Sequence, residues 1–174
     1  MLHISEKTRR LAEAAEQDCR DIFAHIDRVA QANAEKVLAA FQDNRVSDTM
    51  FSGTTGYGYD DIGRDTLDKI YAQVFGAEDA IVRVQFVNGT HTLTAALFGM
   101  LRPGDTLVSV IGAPYDTLQG VIGMTGDAPG NLRQYGVTYR QVDTTPDGKP
   151  DLPAIAAGVH GAKVVLIQRS RGYS

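Results

Sequence analysis

The feature that most constrains the fold is a regular alternation of short apolar runs and helical patterns in the second half of the chain. Apolar residues recur at helical spacing in residues 91–101, roughly 115–123 and 151–158. The apolar runs are 80–87 (AIVRVQFV), 106–111 (TLVSVI), 137–142 (VTYRQV) and 163–168 (KVVLIQ). Strands that alternate with helices form parallel sheets, and ligands bind at the carboxyl ends of their strands. The alternation therefore predicts an α/β fold whose site lies in the loops that follow the runs.

The first of these loops, Asn88-Gly89-Thr90-His91, leads from an apolar run straight into a helical pattern. A helix that opens in this way leaves the backbone N–H groups of Gly89 and Thr90 without partners inside the helix, and Thr90 adds a hydroxyl donor. This arrangement predicts a phosphate site, although the motif is neither G-x-G-x-x-G nor G-x-x-x-x-G-K-[ST]. His91 either caps the helix, packs in the core or faces the ligand.

The other two loops carry an aromatic ring and two guanidinium groups. Tyr115 follows Pro114 in the second loop, where its ring could stack on a planar ligand; a half-buried structural tyrosine is the alternative. Arg169 and Arg171 follow the last run with no acid beside them, a pattern that suits recognition of a substrate carboxylate or a phosphate. The alternative is that both arginines are ordinary exposed residues.

The first part of the chain has a different character. Residues 5–43 predict one long helix or two joined helices, with Ser5 as the N-cap, and residues 1–45 are expected to form a helical arm that packs on a partner subunit or on its own core. Residues 44–64 show no periodicity, and a loop this long that contains Tyr57 and Tyr59 is typical of a functional segment. A short helix is predicted over residues 65–76, with Gly76 at its C-cap.

Composition limits the classes of partner. The chain has 174 residues, a net charge of -4 and a pI near 5.5, which give no reason to expect nucleic acid or an anionic membrane as a partner. It shows no cleavable leader and no run of 18 apolar residues, and its one cysteine, Cys19, fits the reducing cytoplasm. No metal-ligand spacing and no G-x-S-x-G motif occurs, so a metal site and a serine hydrolase have no support.

Long motifs resemble a known family. The stretches VSDTMFSGTTGYGYDDIGRDTLDKIYAQVFGAEDAIVR, NGTHTLTAALFGMLRPGDTLVSVIGAPYDTLQGVIG and IQRSRGYS are similar to the aluminium-resistance, or methionine gamma-lyase-like, proteins. That family belongs to the fold type I enzymes that use pyridoxal 5'-phosphate (PLP), in the cysteine and methionine metabolism group. The resemblance implies a carbon-sulfur lyase of sulfur amino acids. It also implies a three-layer αβα fold with a mainly parallel sheet, of the aspartate aminotransferase-like large domain, with residues 46–174 as the N-terminal part of that domain.

The resemblance also assigns roles to the loops. It places the PLP phosphate on the N–H groups of Gly89 and Thr90 in the Gly89-Thr90-His91 turn, and the pyridine ring against Tyr115. The loop with Tyr57 and Tyr59 corresponds to one in which related lyases carry a Tyr-x-Arg that reaches the phosphate of the neighbouring subunit.

This sequence departs from the tyrosine-loop pattern because Tyr59 stands in the place of that arginine; nearby Arg64 is the candidate for its charge. Active sites that are shared in this way imply a homodimer or a homotetramer.

The Schiff-base lysine of PLP enzymes has no candidate here. The lysines are Lys7, Lys36, Lys69, Lys149 and Lys163. Three are predicted on helices, one in a turn and one at the start of a strand, away from the ligand edge. Because PLP chemistry needs such a lysine, we expect the chain to be the cofactor-cradling part of a longer enzyme and to be inactive alone. The alternative is a truncated, non-catalytic ligand-binding or oligomerisation protein.

Overall fold

The computed structural model describes residues 3–55, 57, 59, 61–126 and 129–170. These residues form six α-helices, one 3-10 helix and three β-strands. They divide into two units, Met1–Arg83 and Val84–Ser174, and each is described by itself.

The first unit is helical. Helices α1 (Glu6–Asp18) and α2 (Arg20–Asp43) are joined at Cys19, so the predicted segment 5–43 is two helices. The Ser5 hydroxyl accepts the N–H of Thr8 at 3.2 Å and caps α1, as predicted from the sequence. No residue of α1 is buried and only Ala40 of α2 is. Apart from Ala40, the apolar residues of these two helices are therefore at least partly exposed within this unit.

Helix α3 (Ile62–Phe75) packs against α2 and against a 3-10 helix at Asp48–Phe51. A Cβ at Gly63 would overlap the carbonyl oxygen of Met50, so the close approach of α3 to the 3-10 helix requires glycine at this position. The helix ends at Gly76, whose φ of 64° is left-handed, which confirms the predicted C-cap.

The second unit contains the sheet. Its elements in order are α4 (Gly89–Met100), β1 (Thr106–Ser109), α5 (Asp116–Ile122), β2 (Thr138–Gln141), α6 (Leu152–Gly158) and β3 (Val164–Leu166). The strands pair in the order β2-β1-β3, and both pairings are parallel, with Leu107 beside Tyr139 on one side and Val164 on the other. Strand β1 is therefore central. Its Leu107 is fully buried, in a core formed with Leu97, Leu101, Leu118, Ile122, Leu132 and Val137.

The predicted fold class is wrong in its specific form. A three-layer αβα large domain with a mainly parallel sheet of the aspartate aminotransferase-like kind was expected. The described residues instead form a small α/β unit with three short parallel strands, preceded by a helical unit. A sheet grows only as far as strands pair, and each edge strand of this sheet has one neighbour within the described residues. The α/β character and the parallel pairing were predicted correctly, but not the extent of the sheet.

The predicted strand at residues 80–87 is not formed. This segment is irregular, and Ile81, Val84 and Val87 are 68%, 90% and 79% exposed. Asp68 of α3 fixes the middle of this segment. The Asp68 carboxylate accepts the N–H of Val82 and pairs with Arg83, both at 2.7 Å. An apolar β-branched run becomes a strand only when another strand satisfies its backbone. Residues 80–87 pair with no strand of the described chain.

Candidate functional site

Three chain segments meet where the parallel strands end. The Thr90 hydroxyl, at the start of α4, lies 2.7 Å from the phenolic oxygen of Tyr115 and 2.9 Å from the Thr117 hydroxyl. We refer to Thr90, Tyr115 and Thr117 as the hydroxyl cluster. The backbone N–H of Tyr115 donates to Oε1 of Gln168, just beyond β3, at 3.0 Å. The structure thus brings the first and second predicted ligand loops into direct contact.

The amino end of α4 presents free hydrogen-bond donors. The Asn88 side chain caps the helix by accepting the N–H of His91 at 2.9 Å, and the Asn88 carbonyl accepts the N–H of Thr92 at 3.1 Å. No described residue accepts the N–H of Gly89 or of Thr90. A Cβ placed on Gly89 would meet nothing within 4 Å, so the space beside these donors is open. Two free N–H groups at the positive end of a helix dipole form a site suited to an anion.

His91 is turned back onto the segment that precedes the helix. Its Nδ1 accepts the N–H of Val87 at 3.3 Å, and its ring meets that of Phe86 edge to face, with centroids 6.0 Å apart. One ring nitrogen is therefore used within the turn itself. The assignment of His91 to the cofactor remains a prediction.

Tyr115 is fixed on several sides. It is half-buried and packs against the core, while its hydroxyl bonds to Thr90. The loop before it is held by Nε2 of Gln119, which donates to the carbonyl of Pro114 at 2.7 Å. These contacts suit a structural tyrosine, and they hold its phenolic oxygen against the Thr90 hydroxyl in the first turn of α4.

Tyr57, Tyr59 and Arg64 belong to the first unit. Tyr57 and Tyr59 are 82% and 89% exposed. Arg64 is not a free cation, because its Nη2 lies 3.2 Å from Oδ2 of Asp61, and the side chains of this pair are 19% and 10% exposed. The proposal that Arg64 supplies a positive charge to a phosphate would therefore require it to share that charge with Asp61.

Asp61 is held as a carboxylate. Its Oδ1 accepts the N–H of Arg64 at 3.0 Å, which caps α3, and its Oδ2 accepts the Thr54 hydroxyl at 2.9 Å. The backbone N–H of Arg64 is the largest cause that lowers the pKa of Asp61 below its ordinary value of 3.8, followed by the Thr54 hydroxyl. A lowered pKa stabilises the fold at pH values above the ordinary one, and that stabilisation is lost as the pH falls through the lowered value.

The acid sensitivity of the protein should therefore depend on Asp61. We expect the Asp61→Asn variant to lose less free energy of unfolding than the wild type as the pH is lowered below about 4. Urea unfolding at a series of pH values measures this. Asp65→Asn, which removes an exposed carboxylate from the same helix, is the control and should follow the wild-type curve. Parallel curves for Asp61→Asn and the wild type would contradict the expectation.

The third predicted loop lines a groove. This groove has a volume of about 590 Å³, and its lining residues are Ile111, Thr144, Gly148, Pro150, Ile167, Gln168, Arg169 and Ser170. Arg169 is exposed and pairs with no carboxylate of the described residues. Arg171, its predicted companion in substrate binding, lies outside the described residues.

Two residues of the site were not predicted from the sequence. Thr117 was read only as part of a helix start, and Gln168 only as the end of an apolar run. Gln168 is the one polar residue that follows the lysine in KVVLIQ, and a polar residue at the carboxyl end of a parallel strand is a usable signal. Thr117 carries no comparable signal, because its role depends on a contact with a residue 27 positions away.

Other kinds of site find no support in the part of the chain that the structure describes. No group of three or more His, Cys, Asp or Glu residues there could hold a metal ion. No helix among the described residues has the length and apolar character needed to cross a bilayer.

Comparisons with known proteins agree on one family. The family described as methionine gamma-lyase matches residues 8–174. The uncharacterized protein YnbB of Bacillus subtilis (strain 168) is 46% identical over 171 residues, which are 97% of this chain and 41% of YnbB.

Two crystal structures of relatives are closely similar. A carbon-sulfur lyase involved in aluminium resistance from Clostridium novyi NT shares 48% identity at a TM-score of 0.90, over 96% of this chain and 41% of that one. A candidate cystathionine beta-lyase involved in aluminium resistance from Clostridium acetobutylicum shares 47% sequence identity at a TM-score of 0.91. The match covers 98% of this chain and 41% of that one. The chain thus spans about two fifths of the length of these relatives.

Proposed function

The chain belongs to the methionine gamma-lyase family, and from this premise we propose that it is the cofactor-cradling part of a PLP-dependent carbon-sulfur lyase that acts on sulfur amino acids. The observation that carries the proposal is the pair of N–H groups at Gly89 and Thr90 that no described residue accepts, together with the 2.7 Å contact between the Thr90 hydroxyl and the Tyr115 phenolic oxygen. The names of the relatives, one a carbon-sulfur lyase and one a candidate cystathionine beta-lyase, support the same class of reaction.

The residues present fit a phosphate group. Two backbone donors point from the positive end of α4, and the Thr90 hydroxyl can add a third bond if it exchanges one of its two partners in the hydroxyl cluster. The open space at Gly89 leaves room for a phosphate to approach the backbone. These features require no movement of the core.

The other residues orient the ligand and the substrate. Tyr115 would stack on the pyridine ring and keep water from that face, since its ring is already held by the core and by Thr90. Arg169, whose guanidinium pairs with no carboxylate of the described residues, would bind the carboxylate of the amino acid, and Arg171 would act with it. When bound, PLP supplies the electron sink that lets a bond at the carbon chain of an amino acid break.

The lysine that moves the proton is expected to come from outside residues 1–174. In the second unit, Lys163 immediately precedes β3 and so lies at the amino edge of the sheet, and its backbone N–H bonds to the Thr106 carbonyl. Lys149 pairs with Asp147 at 2.7 Å on an exposed turn. Neither position suits a lysine at the carboxyl edge of the strands. Residues 1–174 alone should bind PLP weakly and should not release product.

We further propose that the protein is a homodimer or homotetramer with shared active sites. The arm exposes apolar side chains that a second copy could cover, among them Leu11, Ile22 and Leu38, which are 71%, 63% and 59% exposed. Tyr57 and Tyr59, the loop assigned to the neighbouring subunit's phosphate, are also exposed.

One experiment tests the proposed function. The full-length protein that carries this sequence is purified with PLP, its mass is measured by sedimentation, and release of α-keto acid is measured with methionine, cystathionine and other sulfur amino acids. We expect a dimer or tetramer that binds PLP and releases keto acid from at least one of them. Residues 1–174 alone, freed of unbound PLP and then reduced with borohydride, should carry no stoichiometric PLP adduct on any one lysine, in contrast to the full-length protein.

The outcomes separate the alternatives. PLP binding without keto acid release from any substrate would favour a non-catalytic binding protein. An absence of PLP binding by the full-length protein would overturn the assignment of the cradle. A monomeric full-length protein would contradict only the proposal of shared active sites, and it would leave the proposed reaction standing.

A further inference from the structure

Gln168 makes the longest-range contact in the candidate site. It follows β3, is half-buried, and its Oε1 accepts the backbone N–H of Tyr115 at 3.0 Å across 53 positions of sequence. The residue before Tyr115 is Pro114, which ends a loop whose backbone is also held by Gln119, Ser109 and Val142. The Tyr115 N–H precedes α5 and therefore has no partner within that helix. Gln168 supplies the acceptor that this donor needs.

Both ends of the Gln168 amide are used. Its Nε2 donates to the Ser170 carbonyl at 2.9 Å, while its oxygen holds Tyr115. A flipped amide would set nitrogen against the Tyr115 N–H and oxygen against the Ser170 carbonyl, and would lose both bonds. The two partners therefore define one orientation of the side chain.

Tyr115 is thus held at two points. Gln168 fixes its backbone at the end of β3, and Thr90 fixes its hydroxyl at the amino end of α4, with an oxygen-oxygen distance of 2.7 Å. Tyr115 thus joins the segment beyond β3 to the first turn of α4, which carries the donors of Gly89 and Thr90. Any shift of the Tyr115 backbone would move the ring relative to those donors.

We propose that Gln168 is a positioning residue that sets the Tyr115 ring over the phosphate-binding end of α4. The inference rests on the proposed function, because it concerns the ring of the same cofactor, and it adds a residue that acts on the cofactor through Tyr115. Its effect should fall on recognition of the pyridine ring and not on recognition of the phosphate. A residue that only stabilised the fold would affect both, or neither.

The experiment compares two ligands in the full-length protein. Dissociation constants are measured for PLP by absorbance and for inorganic phosphate by displacement of PLP. We expect Gln168→Leu to weaken PLP binding about five- to tenfold, the effect of losing about one hydrogen bond. Binding of inorganic phosphate should stay within about twofold of the wild type, since it uses the α4 donors alone.

A double-mutant cycle tests whether Gln168 affects PLP binding through Tyr115. In a Tyr115→Ala background, Gln168→Leu should weaken PLP binding no further, because the ring that it positions is gone. Gln168→Glu keeps an acceptor for the Tyr115 N–H but loses the donor to the Ser170 carbonyl and adds a negative charge. It should weaken PLP and phosphate binding by the same factor, and it remains informative if the leucine variant folds poorly.

Gln141 provides the matched control. It also lies at the carboxyl end of a strand, β2, and its side chain bonds to Asp143 and to the Tyr139 hydroxyl, with no hydrogen bond to Tyr115 within the described residues. Gln141→Leu should leave the ratio of the PLP and phosphate dissociation constants unchanged.

The results distinguish two failures. A wild-type protein that binds no PLP overturns the proposed function and this inference with it. If the wild-type protein binds PLP, two results would overturn the positioning role alone. One is a Gln168→Leu variant whose ratio of PLP and phosphate dissociation constants is unchanged. The other is a Gln168→Leu effect that persists in the Tyr115→Ala background.

Discussion

The Gly89→Val variant should bind PLP about a hundredfold more weakly than the wild type while keeping its fold. A branched side chain at this position would occupy the open space beside the two free N–H groups. Hydrogen bonds to a charged group are each worth about 1.5–3 kcal/mol, and a loss of about 3 kcal/mol corresponds to about a hundredfold. The dissociation constant of PLP in the full-length protein, measured by absorbance titration, checks this.

The fold should tolerate the change for two reasons. No atom lies within 4 Å of a Cβ at Gly89, and valine is slightly better than glycine in a helix. Gly99→Val is the control, because Gly99 lies in the same helix and its Cβ would also meet nothing within 4 Å. PLP affinity should be unchanged in the Gly99 variant. Equal affinities in both variants would remove the end of α4 from the cofactor site.

The Leu107→Ala variant should lower the free energy of unfolding of the second unit by about 3 kcal/mol, within the range of about 2–5 kcal/mol for buried leucines. Leu107 is 0% exposed and lies in the central strand between Tyr139 and Val164. The truncation removes apolar contacts and leaves a cavity that the flanking strands cannot fill without breaking their pairing.

Urea unfolding followed by circular dichroism measures this loss. Leu152→Ala is the matched control, because Leu152 is 70% exposed on α6 and its truncation should change the free energy of unfolding by less than about 0.5 kcal/mol. A loss below about 1 kcal/mol for Leu107→Ala would show that β1 is not the centre of a packed core.

Local elements were largely predictable. The Ser5 and Gly76 caps, helix α4 and the strands at Thr106–Ser109, Thr138–Gln141 and Val164–Leu166 lie within or close to the segments predicted for them. Caps and periodicity depend on residues a few positions apart, so one segment contains the information. The boundaries differ by one to a few residues because chain ends fray and short strands stop where pairing stops.

The extent of the sheet was not predictable in the same way. Residues 80–87 have the composition of a strand, yet Val84 is 90% exposed and the segment is tied to α3 through Asp68. Whether such a run becomes a strand depends on the presence of a partner edge, which no local pattern contains. The number of strands in the sheet depends on partner edges in the same way, and this is why the predicted three-layer large domain is wrong for the described chain.

The sequence alone determined which chemical groups are available: a glycine that opens a helix, a tyrosine after Pro114, and Arg169 and Arg171 beyond the last strand. Only the tertiary structure decided which of them meet. Thr90 bonds to Tyr115 across 25 positions, and Tyr115 bonds to Gln168 across 53. A hydrogen bond needs donor and acceptor within about 3 Å. Strand register and helix packing set distances on that scale, and both arise from contacts between distant segments.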